Sequence, residues 1–195
     1  MPATINSLPD FKIESSGTIS TACLKNNVTG FHQAVQFIKQ LPYGRNADKT
    51  DLTTLFTDNC GTCSTKHAFL KQLATEHGVH SIQLVIGLYR MNAVNTPLAA
   101  KRLKAHAIEY IPEAHCYLKL NNKVYDFTMP EPGKLDFEND LLEETEITPE
   151  QITSYKISYH KKYIEGWLID NPDLGFSPDK LWEIRELCIH DLSGS

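Results

Sequence analysis

The spacing of apolar residues predicts two helices and a buried strand in the first half of the chain. Apolar side chains recur every three or four positions over 31–41, as on one face of a helix. A second helix is predicted over 63–77, beginning at Cys63 and stopped by Gly78. The run of aliphatic residues over 80–90 has the length and composition of a buried strand.

A β-hairpin is the clearest feature of the middle of the chain. Residues 115–120 and 123–128 each alternate in polarity, and Asn121-Asn122 lies between them. Asparagine tolerates positive φ, so these two residues fit a tight hairpin turn. A helix with proline in its first turn is predicted just before the hairpin, over 97–108.

The two ends of the chain carry weaker patterns. Residues 1–30 predict a loosely structured lead-in with one strand near 19–24. The acidic, proline-containing residues 131–150 predict a solvated excursion, as charge runs usually do. Two closing helices are expected over 149–168 and 178–191, because each range opens with proline followed by an acidic residue.

These elements predict an α+β fold. A central helix bearing Cys63 is expected to pack on an antiparallel β-sheet, with additional helices toward the C-terminus. The length of 195 residues is typical of a single domain. We therefore expect one domain over 1–195, with its core in 31–128 and a C-terminal helical extension over 149–192.

Composition and charge exclude several classes of protein. Apolar residues make up 41% and charged residues 22%, which argues against a disordered or collagen-like chain. The formal net charge of −5 gives no reason to expect a nucleic acid or an anionic membrane as partner. No apolar run approaches eighteen residues, and the first residues do not predict a signal peptide. An odd count of five cysteines then favours reduced thiols and a cytoplasmic location.

Cys63 is the first candidate for chemistry, because it follows Gly61-Thr62 and opens a predicted helix. The helix N-terminus favours negative charge and so lowers the pKa of a thiol placed there. The thiolate is the nucleophilic form of cysteine. Taken alone, the position fits equally well a small core-facing residue in a helix cap.

The hairpin adds a histidine and an aspartate on one face. With Asn121-Asn122 as the turn, His115 and Asp126 share a face of the sheet and are diagonal neighbours. A carboxylate beside an imidazole fixes its tautomer and stabilises its charged form. Each residue alone fits a structural role, His115 on a half-buried strand and Asp126 at a strand end, but the three together favour a Cys-His-Asp triad.

The runs GTCSTKHAFLKQLATEHGV and EAHCYLKLNNKVYDFT, within residues 59–128, resemble the transglutaminase-like domain of the papain-like thiol enzymes. In that family a Gly-x-Cys begins a central helix that ends in glycine about fifteen residues later, as Cys63 and Gly78 do here. A His-x-aromatic strand and an Asp-x-Thr follow, matched by His115 to Tyr117 and by Asp126 to Thr128. Three positions depart from the family, which usually has tryptophan, an acidic residue and proline in the following places: Tyr117, Lys119 and Phe127.

The resemblance implies Cys63 as nucleophile, His115 as general base and Asp126 as the orienting acid. It implies a hydrolase or acyltransferase that acts on a peptide, protein or small amide through a thioester. Hydrolysis and transamidation both stay open. No cofactor and no metal are expected, because nothing in the chain resembles a calcium loop.

An acyl-transfer site also needs donors for the developing oxyanion. The backbone N–H of Cys63 is the natural first donor, and Tyr43 or Asn46, in the turn after the first helix, could provide a second. The same turn could equally be an ordinary exposed loop. His67 lies four residues after Cys63 and could contact the thiolate, although a packing role is the expected one.

Three other interpretations compete with the triad. Cys60 and Cys63 form a CxxC at a helix start, which suggests a thiol–disulfide oxidoreductase but leaves His115 and Asp126 unused. A zinc site could draw on the same cysteines and on further side chains of the chain, although no second half-site follows at finger spacing; these further side chains are His67, His77, His80, His115 and Cys116. The third alternative is a non-catalytic binding domain, because geometry decides activity.

Overall fold

The computed structural model describes residues 5–130 and 136–192 and has an α+β fold with a four-stranded antiparallel sheet. The described residues contain seven α-helices: α1 (Thr18–Lys25), α2 (Phe31–Gln40), α3 (Thr54–Asp58), α4 (Cys63–Glu76), α5 (Ala100–Ala105), α6 (Ser154–Asp170) and α7 (Pro178–Leu192). The strands are β1 (Gln83–Asn92), β2 (Tyr110–Leu120), β3 (Lys123–Tyr125) and β4 (Leu141–Ile147). The predicted fold class is thus confirmed.

The sheet has the strand order β3-β2-β1-β4, and the hairpin between β2 and β3 has the predicted register over its three residue pairs. The strand expected over 123–128 is shorter and ends at Tyr125, so Asp126 lies beyond the paired residues. Leu120 pairs with Lys123 across the turn. The turn residues Asn121 and Asn122 have φ of 50° and 60°, which is the left-handed backbone that a type I′ turn requires. Asparagine accepts this conformation more readily than most residues, so the local sequence sets the register of the hairpin.

The chain forms two compact units. The first contains the residues up to Ile86, together with Cys116–Pro130 and Thr145–Thr153. The second contains Gly87–His115, the described part of Glu131–Glu144 and the residues from Ser154 onward. Each of β1, β2 and β4 contributes residues to both units. The expectation of one domain over 1–195 stays a prediction.

Helix α4 is the centre of the first unit. It packs against α1 and α2, and the buried face of α2 is the predicted stripe that includes Phe31, Val35 and Ile38. The first eight residues of α4 are all buried, which is unusual for a helix N-terminus. Ser64 Oγ donates a hydrogen bond to Cys116 Sγ over 3.5 Å, so the start of α4 lies against β2.

The expected strand near 19–24 is wrong, because these residues form helix α1. Short polar and apolar pieces alternate in this segment, but a contact from a distant part of the chain stabilises the helical form instead. The carboxylate of Glu76, at the end of α4, accepts hydrogen bonds from the backbone N–H groups of Ile19 (3.0 Å) and Ser20 (2.7 Å). These are first-turn N–H groups that lack partners within the helix, so the carboxylate stabilises the helical form.

The acidic stretch over 131–150 is also more ordered than predicted, although residues 131–135 lie outside the described part. Residues 141–147 form β4 at the edge of the sheet, where acidic side chains can face solvent. Gln83 on β1 donates a hydrogen bond from Nε2 to Oε2 of Glu146 on β4 over 2.7 Å. The helix expected over 97–108 is shorter, with a 3-10 turn over Pro97–Ala99 followed by α5.

The remaining predicted helices are present, with one shifted boundary. Helices α2, α4 and α7 lie close to their predicted ranges, whereas α6 begins at Ser154 after a 3-10 turn over Pro149–Ile152, and β1 begins three residues later than expected. No helix in the described ranges is both long and apolar enough to cross a lipid bilayer.

Candidate active site

Cys63 is the first residue of α4, and the turn before it is built to start a helix. Thr62 is the N-cap, and its Oγ1 accepts a hydrogen bond from the backbone N–H of Thr65 over 3.3 Å. In return, Thr65 Oγ1 accepts from the backbone N–H of Thr62 over 3.0 Å. This reciprocal capping fixes Cys63 in the first helical turn, where the helix dipole favours a thiolate.

Gly61, two residues before the cysteine, pairs through its backbone with the 42–46 turn. A Cβ at this position would lie 2.4 Å from Leu55 Cδ2 and 2.9 Å from Lys66 Cγ, so the close packing requires glycine. The backbone N–H of Gly61 donates to the carbonyl of Pro42 over 3.1 Å, and its carbonyl accepts from Gly44. The 42–46 turn therefore lies beside the N-terminal end of α4.

The two residues predicted as oxyanion donors both lie in this turn. Tyr43 is bridged to Gly61 through the backbone and is half-buried. The Asn46 amide nitrogen donates to the carbonyl of Cys60 (2.9 Å) and to Asp58 Oδ2 (3.3 Å). Since both amide hydrogens of Asn46 are engaged by residues 58 and 60, its side chain holds the loop before Cys63 in place.

Asp126 directly follows β3, and Thr128 binds its carboxylate. Asp126 Oδ1 accepts from the backbone N–H of Thr128 over 2.9 Å and from Thr128 Oγ1 over 2.5 Å. The Asp126 side chain is 20% exposed, so part of the carboxylate faces solvent. The Asp-x-Thr pattern is therefore a local turn in which the threonine orients the aspartate.

Two side chains of α4 contact the segment that carries Asp126. Lys66 Nζ donates to the carbonyls of Leu41 (2.5 Å) and Thr128 (2.7 Å). His67 lies between the carbonyl of Cys63 and the backbone N–H of Phe127, each 2.8 Å from a ring nitrogen. Cys63 therefore begins α4, and the segment that carries Asp126 contacts the following turn of the same helix.

Burial dominates the electrostatics of Lys66. It lowers the pKa of this fully buried lysine to about 8, although the negative charges of Asp126, Cys63 and Cys60 work in the opposite direction. A neutral amine still has two N–H groups for the two carbonyls that it contacts. In its charged form the same group places a positive charge near the thiol and the carboxylate.

His115 lies on β2 and is 4% exposed. Within the second unit its ring packs against two aromatic rings, Phe137 at 4.6 Å and Tyr89 at 6.2 Å between centroids. Both contacts are tilted or edge-on, and both neighbours are themselves buried. The His115 ring is therefore buried and contacts two aromatic rings of the second unit.

None of the five cysteines, all of which lie within the described residues, forms a disulfide, and three of them are poor nucleophiles at neutral pH. Burial raises the pKa of Cys23 to about 12 and that of Cys188 to about 11. Cys60 is more accessible, but burial and the nearby Asp58 carboxylate raise its pKa above the usual value. The first member of the CxxC is thus a less reactive thiol than an ordinary cysteine.

Sequence reasoning assigned no role to Lys66, although a signal was available. Cys63, Lys66, His67 and Leu70 follow one another at helical spacing, so a lysine lies within the buried face of α4. A lysine is rarely buried fully unless it has partners, and this placement therefore pointed to a buried polar contact. Among residues 5–130 and 136–192, no three histidine, cysteine or acidic side chains are grouped so as to hold a metal ion.

Comparison with protein-family models finds no match, and searches of the curated proteins and of the solved structures find none either.

Proposed function

We propose that this protein is a thiol enzyme of the transglutaminase-like type that acts on an amide or related acyl bond. Cys63 is the nucleophile, His115 the general base, and Asp126 the acid that orients the imidazole. The observation that carries the proposal is the placement of Cys63 at the capped start of α4, with the Asp126 segment held against the same helix. The assignment of His115 rests on its place in the motif, eleven residues before Asp126 on the paired strand.

In the proposed reaction, His115 takes the thiol proton and the Cys63 sulfur attacks the carbonyl carbon. A C–S bond forms, and the tetrahedral intermediate collapses as the C–N bond breaks and His115 gives its proton to the departing amine. Water or a second amine then attacks the thioester, and the proton that it loses returns through His115 to the sulfur. The backbone N–H of Cys63, at the helix start, is the proposed first oxyanion donor.

The proposed substrate is a peptide, a protein or a small amide. We place the reaction in the cytoplasm, because none of the five cysteines forms a disulfide and a nucleophilic thiol must stay reduced.

The proposal is tested by alkylation with iodoacetamide across pH 5 to 9, with the modified cysteine identified by mass spectrometry. We expect Cys63 to react first and at a lower pH than Cys60. The His115→Ala variant should react only at higher pH, because the base that stabilises the thiolate is removed. Cys60→Ala is the matched control, and its Cys63 profile should equal that of the wild type.

A panel of peptide and small-amide electrophiles completes the test. A covalent adduct on wild-type protein that is absent from Cys63→Ala, with both proteins giving the same circular dichroism spectrum, supports the thioester chemistry. Two outcomes would overturn it: turnover of a substrate by Cys63→Ala, or a Cys63 profile unaffected by His115→Ala. Reversible pairing of Cys60 with Cys63 in a thiol–disulfide buffer would favour an oxidoreductase instead.

A further inference from the structure

His67 is one of the two buried side chains, with Lys66, that link α4 to the Asp126 segment. It lies four residues after Cys63, one turn further along the helix, and its side chain has no exposed surface. Buried histidine nitrogens must be paired, so the identity of each partner fixes which nitrogen carries the proton. Both partners of this ring are backbone groups, whose donor and acceptor roles are known.

The contacts allow only one neutral tautomer. The carbonyl of Cys63 can only accept, so Nδ1, 2.8 Å away, carries the proton. The backbone N–H of Phe127 can only donate, so Nε2, also 2.8 Å away, presents its lone pair. Both nitrogens are therefore occupied, and His67 has no lone pair with which to take a proton from the Cys63 thiol.

The nearby carboxylate does not change this assignment. Asp126 Oδ1 lies 3.5 Å from Nε2, but that lone pair already accepts from Phe127. Asp126 Oδ1 instead accepts the two hydrogen bonds from Thr128. The ring thus fixes the backbone next to Asp126, and Thr128 fixes the direction of the carboxylate.

The same arrangement occurs a second time, at the other end of α4. His77 Nδ1 lies 2.9 Å from the carbonyl of Leu73, four residues earlier, and His77 Nε2 accepts from the backbone N–H of Glu14 over 2.9 Å. Its ring stacks on Phe11, as the His67 ring does on Phe127. His77 therefore provides a matched control that is far along the helix from Cys63.

We propose that His67 is a positioning residue: as a neutral ring protonated on Nδ1, it ties the carbonyl of Cys63 to the backbone of Phe127 and so holds Asp126 at a fixed place relative to the thiol. The inference rests on the proposed function, because it assigns His67 a part in orienting the acid of the triad. His67 does not touch the substrate and does not transfer a proton. In the proposed triad, its effect on the reactivity of the sulfur passes through the placement of Asp126.

The deciding measurement is the pH profile of Cys63 alkylation in His67→Leu, Asp126→Asn and the double variant. We expect His67→Leu to slow alkylation at pH 6 on the order of tenfold, the lower end of what loss of an orienting outer-shell partner costs elsewhere. Asp126→Asn should have a similar effect, and the double variant should be no slower than Asp126→Asn alone. His77→Leu, which loses the same two kinds of contact, should leave the profile unchanged.

A conservative pair covers the case in which His67→Leu does not fold. In His67→Gln, Oε1 can take the place of Nε2 and accept from Phe127, whereas His67→Asn keeps only a donor near the carbonyl of Cys63. The Gln variant should therefore restore the wild-type profile and the Asn variant should not. Equal profiles for the two, or a folded His67→Leu with a wild-type profile, would overturn the inference.

A spectroscopic measurement separates this inference from the proposed function. The ¹⁵N spectrum of the wild-type histidine rings should show His67 with a protonated, pyrrole-type Nδ1 and a pyridine-type Nε2. The opposite tautomer would refute the positioning role whatever the reactivity of Cys63. Conversely, a His115→Ala profile equal to the wild type would refute the proposed triad while leaving the tautomer intact.

Discussion

Single side chains in this protein often satisfy backbone groups that the helices and strands leave unpaired. Lys66 does so for the carbonyls of Leu41 and Thr128, and Asn46 for the carbonyl of Cys60. An unpaired buried carbonyl costs about 1–3 kcal/mol, so each of these contacts prevents a sizeable penalty. Polar residues that look like candidate catalytic groups in the sequence can therefore have this structural role.

His160 is the residue through which acid is expected to destabilise the second unit. Burial lowers the pKa of His160 to about 4, although the Glu113 carboxylate works against this shift. Its Nε2 donates to the carbonyl of Pro112 over 2.7 Å, which requires only the neutral ring. In the unfolded chain a histidine takes up a proton near pH 6.5.

Between pH 6.5 and about 4 the unfolded state therefore binds a proton that the folded state does not. The free energy of unfolding should fall with decreasing pH in this window, by up to about 1.4 kcal/mol per pH unit from this residue. His160→Gln keeps a hydrogen-bond donor for the carbonyl of Pro112 but cannot titrate. The free energy of unfolding of this variant should therefore depend less steeply on pH. Urea unfolding at pH 6.5, 5.8 and 5.0 measures the difference, and parallel slopes in the two proteins would contradict the prediction.

The pH range is chosen to separate His160 from its acidic neighbour. Although burial by itself raises the pKa of Glu113, the Arg185 guanidinium and other nearby cations hold it below its usual value of 4.5. Stability from that carboxylate is present above the unfolded pKa and is lost only at lower pH. Above pH 5, the difference between the wild type and His160→Gln therefore reports on His160 and not on Glu113.

At the scale of the element, helix α4 depends on its cap as well as on its buried face. The capping threonines start the helix at Cys63, and the close contact at Gly61 fixes the chain before it. The hydrophobic pattern predicts the extent of such a helix, whereas its first residue is determined by the cap. Because the cap makes Cys63 the first helical residue, it also places the thiol at the positive end of the helix dipole.

Replacing the N-cap tests this dependence. Thr62→Ala should lower the free energy of unfolding by about 1 kcal/mol, since the N–H of Thr65 loses its acceptor. Thr62→Ser keeps the hydroxyl and should stay within a few tenths of a kcal/mol of the wild type. Chemical denaturation followed by circular dichroism measures both variants. A Thr62→Ala protein as stable as Thr62→Ser would show that the cap contributes nothing.

The elements that sequence reasoning missed are short and depend on distant partners. Helix α1 is stabilised by Glu76, which is more than fifty residues away, and β4 pairs at the edge of the sheet with β1. The hairpin could be predicted, because Asn121 and Asn122 hold its turn locally. Local patterns thus predict elements that local interactions stabilise, and they fail where a remote group decides.

At the scale of the whole molecule, the last helix is joined to the sheet by a buried ion pair. Arg185 on α7 binds Glu113 on β2 with both arms of its guanidinium, with the Nε···Oε2 distance at 2.6 Å. The two side chains are only 11% and 6% exposed. Both residues belong to the second unit, so this contact attaches the end of the chain to that unit's core.

Removing one member of this pair should be costly. Arg185→Met leaves a buried carboxylate without its cation, and we expect the free energy of unfolding to fall by about 3–5 kcal/mol. The double variant Glu113→Gln/Arg185→Met removes both charges and should recover much of that loss. Denaturant unfolding of the three proteins measures the effect. A double variant less stable than Arg185→Met would show that the charge left behind is not the cause.

The sequence by itself determined the α+β class, helices α2 and α4, the hairpin register and the helix start at Cys63, because periodicity, turn chemistry and helix starts are local. Only the tertiary structure decided what the polar side chains near the thiol do. Cys63 and Asp126 are sixty-three positions apart, and whether Lys66, His67 and Asn46 face a substrate or a backbone carbonyl depends on which segments pack together. A burial pattern along one helix does not contain that information, since a hydrogen bond between distant segments is set by three-dimensional packing.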